Sequence, residues 1–295
     1  MSSLSVILLT GALVAAACAL LGSFVLVRKM AMMTDAISHA ILPGIVAAYF
    51  LAKGPNLIAG FVGAAAAGLL TVAFVEALQR SRKVTKEAAI GIVFPALFAL
   101  GVLITSRFFA DVHLDADAVL YGSIELAAED LLLVGDRSLG PQALWVMGGL
   151  LLVDLAFVLL LYKELKLATF DPALAASLGF PPVWLHYALM AMVSVTAVGG
   201  FTAVGAVLVV ALFIVPPATA FLLTDRLPRL IALSVLLGVG GAIAGTLAAF
   251  ALDTSVAGAI ASVTGLIFGL ALLFSPTQGL LRRAWRLAAQ LPRLP

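Results

Sequence analysis

The chain has 295 residues; 63% are hydrophobic, 11% are charged, and the net charge is +2. Soluble domains carry roughly 25% charged residues, so an ordinary soluble globule is excluded and an all-α polytopic membrane bundle is expected. The single cysteine, Cys18, excludes an internal disulfide and a thiolate-based structural zinc site.

Apolar runs fall at 4–26, 31–51, 57–78, 88–105, 143–161, 183–201, 203–223, 229–251 and 256–274. Each is long enough for one crossing of about 20 residues, which predicts eight or nine spans in one membrane domain, 1–295. The first run exceeds the roughly 7–15 residues of a signal h-region, and nothing basic precedes it, so it reads as a spanning helix rather than a cleavable signal. Arg28 and Lys29 follow it.

Orientation follows from Lys and Arg. Fourteen of the seventeen fall on alternate connections: 28–29, 80–86, 163–166, 226–229 and 282–293. Lys53, Arg107 and Arg137 fall on the others. A nine-span chain then has its N-terminus outside and its C-terminus in the cytoplasm. The longest non-spanning region, 107–141, carries Asp111, Asp115, Asp117, Glu125, Glu129, Asp130 and Asp136. It reads first as a solvated loop surface, and second as a mouth whose negative potential gathers cations. Small residues at Gly60, Ala64 and Gly68, and at Gly241 and Gly245, predict close helix contacts.

Asp35 and His39 lie in the second run. A carboxylate in hydrocarbon costs about 2.5–3.5 kcal/mol on insertion scales, so it points to function or to a buried partner. The spacing of four puts both side chains on one helix face, offering an oxygen and a nitrogen to a divalent cation. Pro43, four residues on, has no N–H, so the His39 carbonyl loses its helical partner. The set suits Mn²⁺, Fe²⁺ or Zn²⁺, and a twofold dimer would double it. The plainer reading is a structural Asp–His hydrogen bond between helices.

Asp154 stands in the fifth run without an evident counter-ion, either on a path or paired with a polar group of another helix. After Lys163 and Lys166, residues 171–179 read as a capped short helix. Asp171 is the N-cap, Pro172 the first helical residue and Gly179 the residue past the end. Leu174 and Leu178 form a small apolar ridge. The element is equally a docking knob for a partner or a well-made turn. In the seventh run Pro216 and Pro217 free the carbonyls of Leu212 and Phe213, which predicts a kink, gate or scaffold. His113 reads as a solvated loop residue and His186 as interfacial. The chain has no phosphate-binding G-x-x-x-x-G-K-[ST] loop, dinucleotide fingerprint or H-E-x-x-H, so it is not expected to hydrolyse ATP. No tightly bound cofactor and no nucleic-acid partner are expected.

Five stretches in order resemble the integral-membrane permease of the ABC-3 family of metal importers. They are GSFVLVR (22–28), TDAISHAILPG (34–44), AAIGIVF (88–94), DPALAASLG (171–179) and VGAVLVVALFIVP (204–216). The resemblance runs from about residue 10 to about 283. It implies import of manganese, zinc or iron, delivered by an extracytoplasmic metal-binding protein. It also implies two permease subunits, a homodimer before a pair of related permeases, and a separate cytoplasmic ATPase dimer, in a bacterial plasma membrane. Asp35 and His39 match the family's intramembrane metal-contacting pair, and residues 171–179 match its coupling helix. The Leu42-Pro43-Gly44 after His39 looks more like the manganese branch than the zinc branch. Two departures stand out: Leu120-Tyr-Gly-Ser123 lacks the usual acid, and residues 253–258 lack the usual proline. The rival reading is a proton-coupled secondary transporter in which Asp35 and Asp154 relay protons; a membrane-embedded enzyme is a distant third.

Overall fold

A helix that is apolar on every side is stable only inside lipid or among other helices. The chain consists mainly of such helices. The computed structural model describes residues 2–54, 56–108, 124–128, 130–134, 137–275 and 279. Its helices are α1 (Ser3–Val27), α2 (Ala31–Ala40), α3 (Leu42–Ala52), α4 (Leu57–Arg80), α5 (Lys86–Phe108), α6 (Gln142–Leu160) and α7 (Tyr162–Phe170). They continue with α8 (Pro172–Ser177), α9 (Pro182–Val204), α10 (Ala206–Leu223), α11 (Leu227–Leu252) and α12 (Val256–Phe274). Among the described residues, 9 helices are long and apolar enough to cross a membrane, with α2 and α3 together forming one of them. Their positions agree with the nine apolar runs to within a few residues.

Helix α1 is the axis of the bundle. Every residue from Val14 to Val25 is buried, and α6, α9, α10 and α11 pack around it. Helices α5, α6 and α12 lie outside and expose Leu103, Leu152 and Leu266 among other apolar side chains, as lipid-facing helices do.

Small residues set the closest approaches. A side chain on Gly44 of α3 would run into the Gly63 carbonyl of α4, and one on Gly63 would meet the Gly44 carbonyl. Gly241 and Gly245 face Thr264 and Ile260 of α12, and Gly68 faces Ser194 of α9, as the small-residue pattern predicts. Gly60 has open space around it instead.

The second span breaks at Ile41, with Pro43 in the first turn of α3, where a missing N–H costs nothing. Gly205 alone connects α9 to α10, with φ 87° and ψ 161°, a backbone region open essentially only to glycine.

One end of the bundle is tied across long sequence separations. Arg28 Nε donates to Thr169 Oγ1 at 2.9 Å, Lys86 Nζ donates to the Lys29 carbonyl at 3.1 Å, and His186 Nε2 lies 3.0 Å from Glu76 Oε1. This is the end that carries the basic residues of alternate connections. At the opposite end the Val256 N–H donates to Glu125 Oε1 at 3.0 Å, fastening a 3₁₀ turn (Ile124–Ala128) to the start of α12.

Two features depart from expectation. Residues Tyr162–Phe170 form a helix where a loop was expected, because straight-chain residues favour helix and Leu165 is fully buried. Two short strands, β1 (Leu131–Val134) and β2 (Arg137–Pro141), pair antiparallel within the acidic region. Helix α10 continues through Pro216 and Pro217, both buried, so the prolines do not end the helix. Its Phe213 carbonyl, deprived of an N–H by Pro217, abuts Gly22 of α1, where a Cβ would collide. Asp111, Asp115, Asp117, Glu129, Asp136, His113, Leu120–Ser123 and the basic 282–293 stretch lie outside the described residues.

Candidate functional site

Helix α2 buries Met33, Thr34, Ala36, Ile37, Ser38 and Ala40, which leaves Asp35 and His39 on its open face. His39 Nε2 lies 3.5 Å from Asp35 Oδ1, and the two side chains are 36% and 50% exposed respectively. At this distance the two groups face each other without a tight bond, so both keep lone pairs for a third atom between them. Their exposure shows that the described residues leave this helix face partly uncovered.

Two rings of α5 hold the imidazole. Phe94 lies 5.8 Å from His39 between ring centres, tilted, and Phe98 lies 6.3 Å away, edge-on. Sequence reasoning assigned neither ring to the site; the only signal was their own spacing of four. Pro43 lies one turn beyond His39 and packs close to Gly101 of α5. Among the described residues no group of three or more His, Cys, Asp or Glu side chains is assembled. The described residues therefore bring two potential ligand side chains together here, not a complete shell.

Asp154 is elsewhere. It is fully buried, and its Oδ2 accepts a hydrogen bond from Thr196 Oγ1 at 2.8 Å, joining α6 to α9. Helix α6 packs on α1 and α9, and α2 packs on α1, α4, α5, α9 and α10, with little or no direct packing between α2 and α6. The structure thus does not bring Asp154 together with the Asp35/His39 pair. Pro216 and Pro217 are also buried, with Pro216 against Gly238 of α11.

Residues 171–179 fold as a capped unit. Asp171 Oδ1 accepts from the Leu174 N–H at 2.9 Å, and Pro172 opens α8. The Phe180 N–H reaches the Ala175 carbonyl at 3.0 Å and the Gly179 N–H reaches Ala176 at 3.1 Å, with Gly179 at φ 85°. This is a Schellman ending, which stops the helix with its last carbonyls satisfied. Ala175 anchors the element inward, while Leu174 and Leu178 are 45% and 60% exposed.

A polar cluster missed in the sequence lies beside α8. Glu76 of α4 meets His186 of α9 and accepts a hydrogen bond from Tyr187 Oη at 2.8 Å. His186 is therefore paired rather than simply interfacial.

The fold defines a polytopic α-helical membrane protein with an acid–imidazole pair at membrane depth. The chain belongs to the ABC 3 transport family, whose model matches residues 2–275. It is 45% identical over 280 residues to the manganese transport system membrane protein MntD of Bacillus subtilis, covering 95% of each chain. It is 47% identical over 277 residues to the zinc transport system membrane protein TroD of Treponema pallidum, covering 94% of this chain and 75% of that one. Among solved structures it superposes on PsaBC from Streptococcus pneumoniae, in complex with Fab, with a TM-score of 0.79 and 27% identity, covering 96% of each chain. Membership makes this chain the membrane subunit of an ATP-binding-cassette system, with ATP hydrolysis on a separate chain. It also displaces the proton-coupled reading.

Proposed function

We propose that this chain is the permease of an importer for a divalent transition metal, manganese before zinc or iron, with Asp35 and His39 passing the ion inward. The observation that carries the reading is the exposed Asp35/His39 face of α2, which presents one oxygen and one nitrogen donor. A carboxylate on such a face is costly against acyl chains, so a second copy covering it would remove the cost and complete a four-ligand shell. Ligand type supports manganese, iron or zinc over a soft thiolate metal. It does not choose among them, because zinc outcompetes manganese at most nitrogen and oxygen sites. Selection would rest on geometry or on an extracytoplasmic binding protein that delivers the ion. The manganese preference rests on the Leu42-Pro43-Gly44 sequence and on the full-length match to MntD.

The rest of the assembly follows the same reading. Helix α8 docks on the cytoplasmic ATPase dimer through Leu174 and Leu178, with Asp171, Pro172 and Gly179 holding its shape. The Ile41 break before Pro43 supplies a hinge beside the metal pair. The buried Pro216/Pro217 contact with α1 and α11 is a second place where helices can shift. The Asp154–Thr196 bond supports a helix-joining role for Asp154 rather than a place on the path.

Uptake of radioactive manganese into proteoliposomes holding permease and ATPase tests the proposal. Asp35→Ala or His39→Ala should lower ATP-driven uptake at least tenfold with ATPase association unchanged. Ordinary uptake by both variants overturns the metal role.

A further inference from the structure

Beside the start of α8 lies a groove of about 590 Å³ at the basic end of the bundle, lined by Arg28, Glu76, Gln79, Arg80, Pro172 and His186 among others. Its polar groups are unequally satisfied. Glu76 is already committed: Oε1 faces His186, while Oε2 accepts from Tyr187 and lies 3.9 Å from Arg80. Arg28 is not. Its Nε donates to Thr169, but its Nη2 is buried with no acceptor, and among the described residues no carboxylate lies within 4.0 Å of it. Gln79 Nε2 is likewise buried without an acceptor. A buried donor left unmade costs about 1–3 kcal/mol, and more when charged, so the groove is built for something that accepts.

The missing group is an anion. A third lining atom without a hydrogen bond, His186 Nε2, already faces Glu76 Oε1 at 3.0 Å. The other two, Arg28 Nη2 and Gln79 Nε2, are donors only, and a guanidinium with an amide matches the two oxygens of a carboxylate. Burial pushes the Arg28 pKa down to about 10, so it stays charged at neutral pH. A metal cation is disfavoured between Arg28 and Arg80. The position of the groove selects the source of the anion. Pro172, the first residue of α8, forms part of the wall, and the exposed Phe170, Leu174 and Leu178 continue the surface from there. A largely buried arginine next to exposed apolar side chains is the kind of surface that protein-docking hot spots use.

We propose that this groove receives an aspartate or glutamate side chain of the ATPase subunit, with Arg28 and Gln79 donating to its carboxylate. The proposal rests on the reading of α8 as the ATPase-docking helix. It adds a directional, charge-dependent anchor beside the apolar knob, so a force applied to α8 also reaches α1 through Arg28.

The test is the affinity of the co-produced ATPase chain for the permease in nanodiscs, as a function of salt. Arg28→Gln should weaken it at least tenfold and remove most of its salt dependence. Gln79→Glu guards against a folding artefact: it supplies Arg28 with a carboxylate in cis, so the fold should hold or gain in thermal midpoint while ATPase affinity falls at least tenfold. Unchanged affinity in both overturns the proposal. So does unchanged affinity accompanied by loss of co-purified anionic lipid, which would assign the groove to a phosphate headgroup. The paired substitution Leu174→Asp/Leu178→Asp separates the two readings. If it abolishes assembly while Arg28→Gln and Gln79→Glu do not, the docking helix stands and the groove claim falls; if none of these variants affects assembly, both fall.

Discussion

At Gly205 a single residue carries the whole connection between α9 and α10. Its φ of 87° with ψ 161° costs an L side chain about 1–3 kcal/mol, so Gly205→Ala should lower the thermal unfolding midpoint in detergent by several degrees. Gly60→Ala, where an added Cβ meets nothing within 4 Å, should leave the midpoint unchanged or slightly raised. Equal midpoints for the two variants would remove the conformational argument. Asp35 and His39 were legible because charge in an apolar run is conspicuous and a spacing of four is local geometry. Phe94 and Phe98 were not, since an aromatic ring in a spanning helix looks the same whether it faces lipid or braces an imidazole. Asp154 shows the opposite case: its oddity in the sequence was plain, but its partner Thr196 is 42 residues away.

Elements were legible in proportion to how local their determinants are. Residues 171–179 announced a helix through cap chemistry alone, and the structure has Asp171, Pro172 and Gly179 in those roles. Removing the cap with Asp171→Ala should cost about 1 kcal/mol of local stability. Hydrogen exchange at the Leu174 amide should quicken, and ATPase association should weaken with it; unchanged exchange would count against the cap. Helix α7 was missed because Lys163 and Lys166 marked it as a connection; its straight-chain residues favour helix, but the burial of Leu165 and the Thr169–Arg28 bond across 141 residues are not local signals. The proline pair in α10 was legible as a helix defect. Its accommodation was not, because it depends on Gly22 of another helix coming close to the freed Phe213 carbonyl.

For the molecule as a whole, alternate ends carry different chemistry, and orientation is open to direct measurement. The one native cysteine, Cys18, is fully buried in α1, so single reporters can be read against a silent background. Ser81→Cys, at the exposed end of α4, should react with a membrane-impermeant maleimide only after cells are opened. Thr254→Cys, before α12, should react in intact cells. The reverse pattern would invert the proposed orientation. The half-exposed Asp35/His39 pair belongs to this scale too, since the described residues leave it open and the proposed second copy is what would cover it.

Hydropathy and Lys/Arg placement determined the positions of the apolar segments, eight or nine spans in number, and their expected orientation, because transfer from water to lipid is a property of each segment by itself. Cap and proline chemistry determined where α8 starts and stops. Which faces meet, which acid is paired and which cation is left unpaired were decided only by tertiary structure. Arg28 with Thr169, Glu76 with His186 and Asp154 with Thr196 are contacts between distant helices, and no local pattern encodes the packing that brings them together.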